Sequence, residues 1–402
     1  MIQRIFLLFF LGGALFHING CSAEKQPAKN WYKGNLHAHS YWSDGDEFPE
    51  MIMDWYKSNG YDFTVLSDHN TLAEGEKWIT LSDRDYLQQG FQRYLDQYGE
   101  NWVEHRTDST GNTEVRLKTL LEYRPLFEKG EEFLIIQSEE VTTAFEDKPV
   151  HINATNIQEK ITPEGGASTV EVIQNNINAI LEQRQALGIP IMPHINHPNF
   201  QYGISLDDFL QLRDVRFFEV YNGHPQVNNY GDSTHLGTEQ MWDLINSAYV
   251  EDGKPLIYGV ATDDSHHYHQ FNRKYSNAGR GWVMVLGDSL SAEGIIGAME
   301  KGNFYASTGV VLKNIENNGD LLTVEIDSEP GVSYEIQYIG VDSKLKQAGV
   351  IEKINGTAAT FRVTGEYLFV RVRVLSDKTN KNFYDETEYE KAWTQPLTLK
   401  ID

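Results

Sequence analysis

A chain of 402 residues is too long for one ordinary core and suits a barrel-sized domain with a smaller companion. Its 58 acidic residues outweigh 34 basic ones, and the resulting formal charge of −24 repels a phosphate backbone, which excludes a nucleic-acid duplex as partner. Abundant aromatic residues exclude a disordered chain, and the single cysteine excludes a disulfide framework.

The chain opens with Met1-Ile2-Gln3-Arg4, an apolar run from Ile5 to Phe16, and then Ile18-Asn19-Gly20-Cys21. A positive start, a short apolar centre and a small residue before a cut make a secretory leader, and the apolar run is too short to span a bilayer. The tetrapeptide resembles a bacterial lipoprotein signal. That resemblance implies a lipoprotein signal over 1–21, cut before Cys21 so that the lipidated Cys21 becomes the mature N-terminus, and an extracytoplasmic, membrane-anchored protein, with 22–30 as a polar tether.

Trp31 to Leu36 reads as a strand that delivers His37 and His39, with Asp44 on the loop behind them. Residues at i and i+2 of a strand share a face, so two imidazoles stand side by side. Imidazole and carboxylate are the groups that Zn²⁺, Mn²⁺ or Fe²⁺ accept. Glu50 to Asn59 has helical spacing and stops at Gly60; Tyr61 to Leu66 is again strand-like and ends in Ser67-Asp68-His69-Asn70. Strand, helix, strand at short spacing predicts a parallel sheet, whose chemistry collects at the C-terminal ends of its strands. Residues 71–132 read as a mostly helical insertion, with helical periodicity over Trp78–Tyr98 and Val115–Lys129, placed as a lid. Its Arg106, Arg116, Lys118 and Arg124 are candidates to meet an anionic substrate, although ordinary helix-surface charge explains them more simply.

Phe133 to Thr142 is the next strand, and its Glu139 and Glu140 face opposite ways, so only one of them points at a shared centre. Val150 to Ala154 carries His151. After an amphipathic helix from Val170 to Leu187 closed by Gly188, the run Ile189–Pro198 carries His194 and His197. Phe217 to Gly223 is another strand, and Leu256 to His267 ends in Asp263, Asp264, His266 and His267. A histidine on one strand end is commonly a hydrogen-bonded loop residue. Its recurrence after successive apolar runs has one economical cause, a multinuclear metal centre at the mouth of a barrel. After Trp282–Leu286 and a helix over Ala292–Lys301, short alternating runs (Leu321–Ile326, Ser333–Tyr338, Ala358–Val363, Tyr367–Val374) predict an antiparallel, sandwich-like module over 313–402.

Taken together, His37-Ala38-His39 with Asp44, Ser67-Asp68-His69-Asn70, Glu140-Val141-Thr142 with His151, and His197-Pro198 followed by Asp264-Ser265-His266 resemble the PHP (polymerase and histidinol phosphatase) superfamily of metal-dependent hydrolases. Gly279-Arg280-Gly281-Trp282 and Phe304-Tyr305-Ala306-Ser307-Thr308-Gly309 are similar to its CehA/McbA-like branch, named after carbaryl-type ester hydrolases. The resemblance covers residues 31–312. It implies an α/β fold, a distorted (β/α)7 barrel of parallel strands with helices outside, and two or three divalent ions (Zn, Mn or Fe). It assigns His37, His39 and Asp264 to a first ion with Glu140 bridging, and Asp44, His69 and His266 to a second. His151 and His197, with the other oxygen of Glu140, go to a third. It also chooses Glu140 over Glu139 and Asp264 over Asp263, and leaves His194, Asp68 and His267 outside the ligand set. Asp68 is expected to orient a histidine from behind.

The implied activity is phosphoester hydrolysis, of a monoester or a diester, by a hydroxide shared between the ions, with Asp264 as the base and Arg280 as a holder of substrate phosphate. The same site suits a carboxyl or carbamate ester. A lipid-anchored binding protein is the reading from another class, and its signature would be missing ligands; all nine positions hold competent ones.

Overall fold

The computed structural model describes residues 29–129, 132–380, 382 and 388–398; the leader, Cys21 and all but the end of the tether lie outside the described residues. The first half begins with β1 (Asn30–Asn35), α1 (Pro49–Ser58) and β2 (Phe63–Leu66). Proline at the first turn of α1 needs no hydrogen-bond partner, and Ile52, Met53 and Tyr56 bury one face of the helix. An insertion follows, with β3 (Trp78–Thr80), α2 (Asp85–Tyr98), β4 (His105–Thr107), β5 (Thr113–Arg116) and α3 (Leu120–Phe127). Next come β6 (Leu134–Phe145), β7 (Lys148–Thr155), α4 (Thr169–Leu187), β8 (Met192–Ile195), α5 (Leu206–Gln211), β9 (Phe217–Asn222), α6 (Thr238–Glu251) and β10 (Tyr258–Thr262). Ser168 caps α4 by accepting from Glu171 N–H, and Gly188, at φ +66°, ends it in the left-handed conformation expected of a C-terminal glycine.

The last part holds β11 (Trp282–Gly287), α7 (Ala292–Met299), β12 (Phe304–Ser307), β13 (Leu312–Asn318), β14 (Leu321–Ile326), β15 (Tyr334–Asp342), β16 (Ala348–Asn355), β17 (Ala358–Arg362), β18 (Tyr367–Thr379) and β19 (Tyr389–Thr394). A 13-stranded sheet runs β10-β9-β8-β7-β6-β2-β1-β11-β12-β19-β18-β15-β16. Strand β2 is buried along its whole length, as a strand covered on both faces must be. Beyond the ladders, Ala38 and Ser265 form an isolated parallel bridge: Asp264 N–H donates to His37 O at 3.0 Å and His39 N–H to Ser265 O at 2.9 Å. The continuation of β1 therefore lies beside the continuation of β10.

The strands of the site are not all parallel, contrary to the expectation of seven parallel strands. Strand β7 runs antiparallel to both β6 and β8, and β1 pairs antiparallel with β11. The cause is local. Phe145 pairs with Lys148 across Glu146-Asp147, with Glu146 at φ +54°, and so short a connection leaves no length for a crossover.

The insertion is also less helical than its periodicity suggests. Trp78–Thr80 and Thr113–Arg116 pair in a small antiparallel sheet, β3-β5-β4, and the helices begin only at Asp85 and Leu120. Val115 and Leu117 are buried two residues apart, which is strand spacing.

In the C-terminal part, β13-β14-β17 form a separate three-stranded sheet, and β19-β18-β15-β16 continue the main sheet through β12. The two share a core that includes Leu322, Val324, Ile336, Tyr338, Val370 and Val372. Among the described residues no helix is long and apolar enough to cross a membrane.

Candidate metal centre

The centre is built from backbone upward. Past the end of β1, Ala38 is held between two neighbours: its carbonyl accepts from Ser67 N–H at 2.8 Å, and the bridge to Ser265 holds the other side. The stretch stays extended, so His37 and His39 fall on one face with their Nε2 atoms 3.1 Å apart. The chain then doubles back so closely at Gly45 that an added Cβ would lie 2.4 Å from the His39 carbonyl oxygen, and this turn returns Asp44 to the rim. Asp68 accepts from Ser40 N–H, Ser40 Oγ and Ser43 Oγ. It therefore fixes the loop between His39 and Asp44, where the sequence had suggested a bond to a histidine.

On β6, Glu140 is fully buried and points inward, while Glu139 points away and accepts from Ile161 N–H. Burial pushes the Glu139 carboxyl up to about 7. The Glu140 carboxylate meets five imidazoles. His37 Nε2 and His39 Nε2 lie at 3.4 Å, His69 Nδ1 at 2.8 Å, His151 Nδ1 at 3.1 Å and His197 Nε2 at 3.4 Å. Asp264 adopts a left-handed backbone, φ +49°, which aspartate tolerates better than most residues. Its Oδ1 lies 3.3 Å from both His37 Nε2 and His39 Nε2, and its Oδ2 lies 4.0 Å from His197 Nε2. Asp263 faces the other way and accepts from Tyr56 OH and from the N–H groups of Arg280 and Gly281. At the rim, the half-exposed Asp44 stands 3.4 Å from His266 Nε2 and 3.6 Å from His69 Nε2. The structure thus brings His37, His39, Asp44, His69, Glu140, His151, His197, Asp264 and His266 to one place, with His37 and His39 as a buried floor beneath a cavity of about 300 Å³. Within it, His39 also stands with Asp44, His69 and His266, so the groups overlap more than a division into separate sites implies.

The electrostatics are those of carboxylates and imidazoles packed out of water. Burial alone would favour neutral Glu140 and Asp264, yet the surrounding imidazoles hold both carboxylates well below the usual range. Burial likewise opposes charge on His37, His69, His197 and His266, but the carboxylates raise all four, His69 to about 11. Burial and the neighbouring His266 lower His39 to about 3. Glu140 Oε2, fully buried, makes no aligned hydrogen bond, although His69 Nδ1 stands 2.8 Å and His39 Nε2 3.4 Å away. A buried carboxylate among so many imidazole nitrogens fits a divalent ion that takes mixed N and O donors.

The sequence reading missed the groups that support this set. Glu219 on β9 accepts from His37 Nδ1 at 2.8 Å, from His197 N–H at 2.7 Å, from Asn222 Nδ2 and from Thr262 Oγ1. A carboxylate on the far nitrogen of a ligating imidazole fixes its tautomer and raises its basicity. The available signal was a lone charge inside the apolar run Phe217–Tyr221. Asn196 Nδ2 donates to Glu140 Oε1 at 2.7 Å, and His224 lines the cavity. His194 is buried 3.6 Å from Glu219, with neither ring nitrogen hydrogen-bonded.

Two proposed substrate contacts are elsewhere. Arg280 is fully buried, and its guanidinium donates to the carbonyls of Gly223, Asn272 and Asn382, so it ties loops together and does not face the cavity. Arg116 is paired with Glu104 and Glu122 inside the insertion. None of residues 71–129 lines the cavity.

Comparison with protein-family models gives no match, and comparison with curated proteins gives none either. Several solved structures align, among them the following three. A two-domain protein from Bacteroides vulgatus, described as containing a predicted PHP-like metal-dependent phosphoesterase, is 16% identical, with 92% of this chain and 97% of that one covered and a TM-score of 0.43. A proposed metal-dependent phosphoesterase from Bifidobacterium adolescentis is 12% identical over 59% of this chain and 88% of that one, with a TM-score of 0.27. An amidohydrolase from Chromobacterium violaceum with bound sulfate and no metal is 12% identical over 58% and 87%, with a TM-score of 0.26. All three TM-scores lie below 0.5, and the functional reading rests on the side chains of this chain.

Proposed function

We propose that the protein is a metal-dependent hydrolase of phosphate esters. The observation that carries this reading is Glu140, a fully buried carboxylate with five imidazoles within 3.4 Å. His37, His39, Glu140 and Asp264 would hold one ion, Asp44, His69 and His266 a second, and His151 and His197 with Glu140 a third, on the deep side of something close to a barrel mouth. Bound divalent ions supply Lewis acidity and a nucleophilic water near neutral pH.

The chain's own residues do the rest. Asp264, ionised and steadied by Asn222 Nδ2 at 3.1 Å, is the candidate acceptor of the proton lost by water. Glu219 and Asn196 keep His37 and Glu140 in register. In hydrolysis a P–O bond to water forms as the P–O bond to the alcohol breaks, and the alcohol leaves with a proton. Turnover of p-nitrophenyl phosphate should vanish on chelation and return with Mn²⁺ or Zn²⁺; full activity in metal-free protein overturns the reading. A carboxyl or carbamate ester is the rival substrate, and p-nitrophenyl acetate assayed in parallel separates the two. The leader-like sequence supports a further part of the proposal, that the enzyme works outside the cytoplasm, anchored through an acylated Cys21. Cys21→Ser should move it from the membrane fraction to the soluble one; unchanged fractionation counts against the anchor.

A further inference from the structure

Apart from the candidate ligands, the cavity wall consists of Phe200, His224, Gln226 and His267, and among the described residues no lysine or arginine lines it. The two histidines share one device. Gln226 N–H donates to His224 Nδ1 at 3.2 Å, and Ser276 N–H donates to His267 Nδ1 at 3.3 Å. An imidazole whose Nδ1 accepts a main-chain N–H carries its proton on Nε2. Each ring is thereby left with one polar group to offer, an Nε2–H donor, on a residue that faces the cavity. Their backbones are fixed as well: His224 N–H donates to Asn222 Oδ1 at 2.8 Å and His267 N–H to Ser276 O at 2.9 Å. Gln226 adds an amide that both donates and accepts. Phe200, with its ring centroid 5.2 Å from that of His197, adds an apolar face. The volume of about 300 Å³ sits at the bottom of the range of roughly 300–1,000 Å³ for small-molecule sites.

We propose that this wall selects phosphate monoesters of uncharged, hydroxylated alcohols of about monosaccharide size, with His224 and His267 donating to hydroxyl oxygens and Phe200 covering a C–H face. The proposal rests on the phosphate-ester reading above. Neutral donors suit hydroxyls, which also accept and donate. A second phosphate or a carboxylate on the alcohol would lie against the wall of Phe200, His224, Gln226 and His267, where no lysine or arginine meets it, and an unpaired charge in such a place is costly.

The test uses the full chain loaded with Mn²⁺ and assayed on glucose 6-phosphate, fructose 1,6-bisphosphate and p-nitrophenyl phosphate. The value of kcat/KM should be at least about ten-fold higher for glucose 6-phosphate than for the bisphosphate, the scale of one well-placed hydrogen bond lost. His224→Ala and, independently, His267→Ala should raise KM for glucose 6-phosphate about ten-fold more than for p-nitrophenyl phosphate, which carries no alcohol hydroxyls. His224→Gln, which keeps an N–H donor, should restore part of that loss. A readout free of turnover comes from long-range ¹H–¹⁵N spectra of the metal-free protein, which should show His224 and His267 protonated on Nε2 with Nδ1 as acceptor. Equal kcat/KM for the two sugar phosphates, equal KM changes across substrates, or protonated Nδ1 atoms would overturn the proposal while turnover of p-nitrophenyl phosphate left the hydrolase reading standing. Absence of phosphate-ester turnover altogether would remove both.

Discussion

At the seam between α6 and β18, Arg371 is 1% exposed and clamped by Asp243, through Nε at 2.7 Å and Nη2 at 2.8 Å, and by Glu239 at 2.9 Å. Arg373 takes the other oxygen of Glu239, and the Arg371 guanidinium lies over the Trp242 ring. At the cavity, Glu140 is buried as deeply, but it faces five imidazoles and the amide of Asn196, with no fixed cation. The first cluster matches fixed guanidinium cations to carboxylates. The second packs titratable imidazoles around its carboxylates, and among the described residues no lysine or arginine lines it. Depth of burial is the same in both, and each keeps one buried polar atom without a hydrogen bond, Arg371 Nη1 and Glu140 Oε2, so what separates scaffold from site is whether the carboxylates meet fixed cations or imidazoles.

The largest effect should come from disturbing the second cluster. Glu140→Gln should lower both metal content and turnover by more than about 100-fold, because losing even an outer partner of a ligand costs about 10–100-fold in metal affinity. Glu219→Gln, which alters only that outer layer, should fall inside the 10–100-fold range. Elemental analysis after dialysis against a known free-metal concentration checks both, and a Glu140→Gln protein with a full metal complement would erase the distinction between the clusters. Arg371→Met breaks the arginine–carboxylate cluster. It should cost about 3–5 kcal/mol by urea unfolding, the usual penalty for orphaning a buried charge, while metal content per folded molecule stays unchanged. Loss of metal with retained stability would show that the seam serves the centre.

The smallest effect concerns Glu47, a buried carboxyl that belongs to neither plan. Burial pushes it up to about 8, against the opposing bond from Phe48 N–H. With the folded value raised above an unfolded value near 4.5, its contribution is complete below about pH 4.5 and is lost as pH rises toward 8. The melting temperature of Glu47→Gln relative to the parent should therefore climb across that interval. A difference that is flat with pH would mean that Glu47 is ionised in the folded chain.

The strand tips were the most legible part of the sequence, since nearly every apolar run carried His, Asp or Glu at its end and the i, i+2 spacing of His37 with His39 gave a shared face. Strand direction was not legible: β7 reverses because of two residues, Glu146 and Asp147, whose turn leaves no mark in the hydrophobic pattern. Trp78–Thr80 and Val115–Leu117 are too short to distinguish a two-residue period from a helical one. Glu219 has no partner at ligand spacing in the sequence, and its role appears only when β9 lies beside β8 and β10. Arg280 misled for the opposite reason. Its motif offered a cation, and only the fold reveals that loop carbonyls consume it.

The bridge between Ala38 and Ser265 joins the start of the site to its finish. During synthesis, the histidines at positions 37 and 39 leave the ribosome long before Asp264 and His266 exist to complete their surroundings. Ring closure over so long a span is entropically expensive and comes late. A half-made chain thus offers a metal scattered imidazoles but no pocket, and metallation becomes a report that the whole circuit has been drawn shut.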